Sequence, residues 1–97
     1  MAKIRVVAHL TSKPETVDET RNALNAFIDP TRAEAGCILY ELMQNNADPT
    51  DFTFVEEWES DKTLDAHLGS PHISAFKERA GDLLACEPDI RRYTLLK

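Results

Sequence analysis

The stretch from Phe52 to Phe76, FTFVEEWESDKTLDAHLGSPHISAF, decides how this chain folds, because its hydrophobic period changes halfway along. Phe54, Glu56 and Trp58 fall on one face of a strand at its two-residue period. Ser60 then offers a helix-capping hydroxyl, and Leu64, His67 and Leu68 recur at i, i+3 and i+4, the spacing of one helical face. Gly69-Ser70-Pro71 ends that helix at Leu68 and starts another, in which Ile73, Phe76, Ala80, Leu83 and Leu84 keep an apolar stripe to about Cys86. His67 therefore shares a face with two leucines and points inward, where an imidazole needs a hydrogen-bond partner or a chemical task.

Working outward, Lys3 to Leu10 alternates as a first strand, with Ile4, Val6, Ala8 and Leu10 on one face and Arg5, Val7 and His9 on the other. Ser12-Lys13-Pro14 reads as a helix start capped by Ser12, and Glu15, Asp18 and Glu19 place negative charge at the positive end of the dipole. Val17, Leu24, Phe27, Ile28 and Ala35 keep a helical period up to Gly36, with a kink or break expected near Asp29 because Pro30 lacks a backbone donor. Cys37 to Gln44 is a second strand, Asn45 to Asp51 a polar turn, Phe52 to Glu59 a third strand and Ile90 to Leu96 a fourth. The order β-α-β-β-α-β predicts an α+β, ferredoxin-like split βαβ domain over residues 1–97: a four-stranded antiparallel sheet with its helices on one face. Apolar residues lie on both faces of the first two strands, Leu39 and Met43 opposing Ile38, Tyr40 and Leu42. Two helices cover only one face, so a homodimer packed sheet to sheet is expected.

The 97 residues carry 11 Lys+Arg against 17 Asp+Glu, a formal charge of −6. With its basic residues scattered except for Arg91-Arg92, the chain is a poor match for nucleic acid or an anionic membrane. No apolar leader opens the sequence and no window approaches a membrane span, so a soluble, cytoplasmic protein is expected. Cys37 and Cys86 lack a CxxC or Cys/His metal spacing and read as two reduced, buried thiols. No dinucleotide fingerprint, phosphate loop, nucleophile elbow or metal motif is present, which leaves side chains alone to act.

Arg32-Ala33-Glu34-Ala35-Gly36-Cys37-Ile38-Leu39-Tyr40-Glu41-Leu42, then Phe54-Val55-Glu56-Glu57-Trp58-Glu59-Ser60, then Ala66-His67-Leu68-Gly69-Ser70-Pro71-His72 with Phe76 beyond, resembles the antibiotic biosynthesis monooxygenase family over nearly the whole chain. The resemblance implies a dimeric α/β barrel. Within that family the sequence is most similar to the small quinol monooxygenase-like proteins, oxidoreductases that add oxygen to electron-rich aromatic rings without metal, flavin or haem. The implied partners are a small aromatic substrate, O2 and a second copy of the chain, and no cofactor is expected. In such chemistry a hydroxyaromatic is deprotonated and its anion reduces O2, so the protein takes a proton, holds a flat anion and excludes water.

His67 is the candidate base, since an imidazole near its ordinary pKa of ~6.5 accepts a phenolic proton at neutral pH. Its bland alternative is a core histidine bonded to Glu56 or to a backbone carbonyl. His72, in the first turn of the following helix, is a second catalytic candidate at the pocket mouth, or simply a cap. His9 joins the candidate substrate-binding residues on the condition that its strand face lies under the helices. Phe54, Trp58, Phe76 and Tyr40 are core residues that can also wall a planar substrate, with Tyr40 an alternative rim residue of the dimer. Glu56, a carboxylate among aromatics, is either a supporting group or an ion-pair partner of Arg5 or Arg92.

Three convergent histidines raise a metal site, ranked low because no carboxylate sits at ligand spacing on the same element. Haem degradation on a related branch of the fold uses an asparagine, a tryptophan and a histidine ligand at places that hold His9, His67 and Lys77 here, so none of those roles is filled. An isomerase acting on a small carbonyl compound, phosphorylated or not, would draw on Arg5, Arg32 or Arg91-Arg92. A non-catalytic dimeric binding module stays open. A flat apolar slot with one or two histidines favours the monooxygenase, and an arginine-lined pocket the isomerase.

Overall fold

The computed structural model describes residues 3–97. Its elements run β1 (Ile4–Thr11), a 3-10 turn (Pro14–Thr16), α1 (Val17–Asn25), α2 (Ile28–Arg32), β2 (Cys37–Gln44), β3 (Asp51–Trp58), α3 (Asp61–Leu68), α4 (Pro71–Leu83) and β4 (Asp89–Tyr93). The four strands form one antiparallel sheet in the order β2-β3-β1-β4, the split βαβ arrangement expected from the sequence. Pairing of Val6 with Glu56 and Ala8 with Phe54 brings Ile4, Val6, Ala8 and Leu10 onto the same face as Phe52, Phe54, Glu56 and Trp58. All eight are buried, beneath Leu24 and Phe27 from the first helical half and Leu64, Phe76 and Leu83 from the second. Among the described residues no helix is long and apolar enough to cross a membrane.

The kink expected near Asp29 falls earlier, at Ala26–Phe27. There the Phe27 amide bonds Leu24 O at 3.0 Å in a tightened turn, and Pro30 is carried inside α2. The reason is that the bond a proline lacks is the one to the carbonyl four residues before it, here Ala26. Ser12 does not cap the first helix: the 3-10 turn has no side-chain cap, and the buried Ser12 hydroxyl donates to Thr20 Oγ1 at 2.9 Å instead. The register of β2 shifts between Cys37 and Leu39, which leaves Ile38 unpaired and 44% exposed rather than inward with Tyr40. The last strand starts at Asp89 and stops at Tyr93, three residues short of the expected Leu96.

Two local devices fix α3. Ser60 Oγ accepts from the Thr63 amide while Thr63 Oγ1 accepts from the Ser60 amide, each at 3.3 Å, a reciprocal capping box. Gly36, with φ of 85°, leads into β2 directly beside that cap; a Cβ there would lie 2.5 Å from the Thr63 side chain. The Gly36 carbonyl also accepts the Glu59 amide at 2.9 Å, tying the start of β2 to the end of β3.

Candidate active site

The Ser60–Thr63 cap sets the rotation of α3, and one turn later Leu64 and His67 face the sheet, with 0% and 2% of their surface exposed. Trp58 ends β3 immediately below, and its ring centroid lies 4.8 Å from that of His67. Tyr40 on β2 meets the same imidazole edge-on at 5.5 Å and stacks on Phe54 at 4.9 Å. Burial among these rings lowers the His67 pKa below its ordinary value, against the opposing pull of Glu34, so the imidazole stays neutral near pH 7.

Glu34 is the residue that sequence reasoning did not select. It lies in the short connection from α2 to β2, and its carboxylate takes up both histidines at once: Oε1 is 3.1 Å from His67 Nδ1 and 3.2 Å from His72 Nε2. His72 Nε2 also lies 2.9 Å from the hydroxyl of buried Thr31. Glu34 sits within the Arg32–Leu42 stretch that carries the family resemblance, two residues before the Gly36 turn. A carboxylate beside two imidazoles that must each find a partner was the available signal. With Nδ1 donating to Glu34, the acceptor nitrogen of the neutral His67 ring is Nε2.

His67 borders a cavity of about 220 Å³ between the helices and the sheet. Val6, Ala8 and Leu10 form its floor, Tyr40, Phe54 and Phe76 its aromatic walls, and Glu56 and Lys77 supply further polar groups. Glu56 Oε1 accepts from Trp58 Nε1 at 2.8 Å. Burial pushes the Glu56 carboxyl up to about 7, with the indole donor holding it down and the Glu34 charge adding to the rise. Tyr40 is pushed strongly upward, first by burial and then by the Glu56 charge, so its phenol remains neutral.

Of the residues singled out from sequence, Tyr40, Phe54, Glu56, His67 and Phe76 line this cavity. Trp58 is fully buried behind His67 and orients it rather than touching the cavity. His72 faces a separate, open hollow on the outer side of Glu34 and is absent from the cavity wall. His9 does not join the other two histidines: it lies on the uncovered face of the sheet, half exposed, with Nδ1 3.0 Å from Thr53 Oγ1. The covered face of β1 is the one bearing Ile4, Val6, Ala8 and Leu10, because burying four apolar side chains outweighs burying Arg5, Val7 and His9. His67 pairs with Glu34 rather than with Glu56 or a carbonyl, and Glu56 pairs with Trp58 rather than with an arginine.

The four arginines considered for the isomerase are engaged away from the cavity. Arg5 faces Glu57 at 3.5 Å, Arg32 donates to the Tyr40 carbonyl at 2.9 and 3.2 Å, Arg91 pairs with Asp89, and Arg92 bridges Asp61 and Asp65.

The family model described as Antibiotic biosynthesis monooxygenase matches residues 3–79. Rv0793 of Mycobacterium tuberculosis is 37% identical over 81 residues, covering 84% of this chain and 79% of that protein. Its solved structure superposes with a TM-score of 0.91, covering 99% of this chain and 97% of that one at 30% identity. PA3566 from Pseudomonas aeruginosa superposes with a TM-score of 0.94 at 29% identity, covering 100% and 97%. The Synechocystis protein sll1783 is 33% identical over 92 residues, 95% of this chain, which spans only 63% of that relative's length. A family model matched over residues 3–79 and a relative 37% identical over 84% of the sequence agree on one assignment: this chain belongs to the antibiotic biosynthesis monooxygenase family.

Proposed function

We propose that the protein is a monooxygenase that oxidises an electron-rich hydroxyaromatic of one or two rings with O2, the substrate itself supplying the electrons. The observation that carries this reading is the cavity: apolar and aromatic-walled, bordered by the His67 imidazole, and lined by no arginine. An apolar cavity of ~150 Å³ holds benzene. At about 220 Å³, this one accommodates a substituted single ring or a compact bicycle.

His67 Nε2 takes the phenolic proton, and the Glu34 carboxylate stabilises the imidazolium that forms, from a position outside the cavity. The anion passes one electron to O2, and the aryloxyl radical and superoxide join at a ring carbon bearing hydrogen. The resulting peroxide regains its proton from His67. Loss of water then leaves a carbonyl, so one oxygen atom enters the product, the other leaves as water, and His67 returns to its starting state. The aromatic walls and the neutral Tyr40 phenol exclude water from the radical pair. A phosphorylated carbonyl substrate finds no arginine here and only the single cation of Lys77, in a lining shared with the Glu56 carboxyl, which disfavours the isomerase reading.

The same reading includes a homodimer packed through the open sheet face, supported by Val7, Leu39, Met43 and Val55 on that face. It also includes a reducing, cytoplasmic setting, supported by the free thiols of Cys37 and Cys86, of which Cys37 is half-buried and Cys86 exposed rather than both buried as expected, because Cys86 lies past the end of α4.

Oxygen uptake with a panel of quinols tests the proposal. Wild-type protein should exceed autoxidation, His67→Ala should lose about 10²- to 10⁴-fold, and higher pH should partly restore the variant, because a phenol that ionises in solution needs no base. Wild-type rates equal to autoxidation across the panel would overturn it.

A further inference from the structure

We infer that Glu34, His67 and His72 form a binding site for one divalent transition-metal cation of the zinc class, entered from the outer hollow and not from the substrate cavity. One ligand atom from each residue lies within 4.8 Å of the others. A tetrahedral cation about 2.05 Å from its ligands separates them by about 3.3 Å. Two of the three separations already match, at 3.1 Å from Glu34 Oε1 to His67 Nδ1 and 3.2 Å from the same oxygen to His72 Nε2. Only the two histidine nitrogens need to draw together, and His72, with 21% of its side chain exposed, is the one free to move.

Two nitrogens and a carboxylate are a donor set suited to zinc, with a fourth position left for water. Glu34 and His72 both line the outer hollow, so an ion reaches them without crossing the aromatic cavity. Ser70 lines the same hollow, and its hydroxyl oxygen is buried without a hydrogen-bond partner among the described residues. A water carried on the cation would give that hydroxyl a partner. Thr31, bonded to His72 Nε2 at 2.9 Å, would release the ring on binding. Lys62 on the rim is exposed and opposes a cation only through water.

The consequence for turnover rests on the monooxygenase reading. A cation on His67 Nδ1 displaces the proton shared with Glu34, and the neutral ring then carries its single proton on Nε2, the nitrogen that acts as base in that reading. Such an imidazole donates but does not accept. The bound cation therefore acts as a reversible off-switch for the base and leaves the cavity itself open.

The test is a titration of chelator-treated protein with Zn²⁺ against a chromogenic chelator, repeated with Co²⁺ to read coordination from its visible bands. One ion per chain is expected, with Glu34→Gln and His72→Ala each weakening binding about tenfold or more and His9→Ala leaving it unchanged. Circular dichroism confirms that each variant is folded, and His72→Ala, on the outer side of the site, keeps the test intact if Glu34→Gln is not. No binding below about 100 µM Zn²⁺, or binding that folded His72→Ala retains in full, would overturn the site. In a quinol assay, equimolar Zn²⁺ should abolish turnover and a chelator restore it. Zinc bound without loss of turnover would overturn the switch alone. Absence of turnover in any quinol would count against the monooxygenase reading and leave the titration to decide the site.

Discussion

The carboxylate of Glu34 lies 3.1 Å from Nδ1 of His67 although 33 positions separate the two residues in the chain. The pair joins the α2–β2 connection to the inner face of α3. It fixes which nitrogen of a buried imidazole is free to act, a role that neither residue holds alone.

If Glu34 positions His67 without touching substrate, Glu34→Gln should lower kcat about tenfold or more while KM stays near the wild-type value. The loss should fall short of the 10²- to 10⁴-fold expected for removing the base itself. An equal rise in KM would place Glu34 in substrate binding instead.

Glu56 should make the protein less stable as pH rises. Its folded pKa is raised from 4.5 to about 7, so the fold favours the protonated acid. That contribution is complete below about pH 4.5 and is lost as pH climbs through about 7, a change on the order of 3 kcal/mol at most. Glu56→Gln keeps an acceptor for the Trp58 indole and removes the titration. Its melting temperature relative to wild type should therefore climb between pH 5 and pH 8, and a gap that does not move with pH would contradict the assignment.

Gly36→Ala should cost about 2 kcal/mol or more. A left-handed φ of 85° disfavours any Cβ, and this one would meet the Thr63 side chain at 2.5 Å, within the cap that starts α3. Thermal denaturation reads the cost. Because the Thr63 Cβ is itself one of the atoms at 2.5 Å, Thr63→Gly rather than Thr63→Ala clears the contact; combined with Gly36→Ala it should recover part of the cost, whereas strictly additive losses would assign the whole cost to the backbone.

Sedimentation at micromolar concentration should show one species near twice 10.9 kDa. Val7 pairs directly with Val55 on the open sheet face, so Val7→Lys would bury like charges across a two-fold interface and should release monomers. A compact wild-type monomer at that concentration would remove the sheet-to-sheet dimer.

The sequence by itself determined whatever depends on spacing within one element. The alternation of Ile4, Val6, Ala8 and Leu10, the capped start at Ser60, and the i, i+3 pairing of Leu64 with His67 all carry their own geometry, because strand and helix periods are local properties of the backbone. That His67 points inward was legible for this reason, and so was the order of strands and helices. Tertiary structure alone decided what meets His67 there. Glu34 arrives from a connection between elements, His72 turns outward across the Gly69–Ser70–Pro71 break, and His9 is carried to the far face by the choice of which side of β1 the helices cover. Each of these depends on contacts between segments distant in sequence, and side-chain periodicity ends where its element ends.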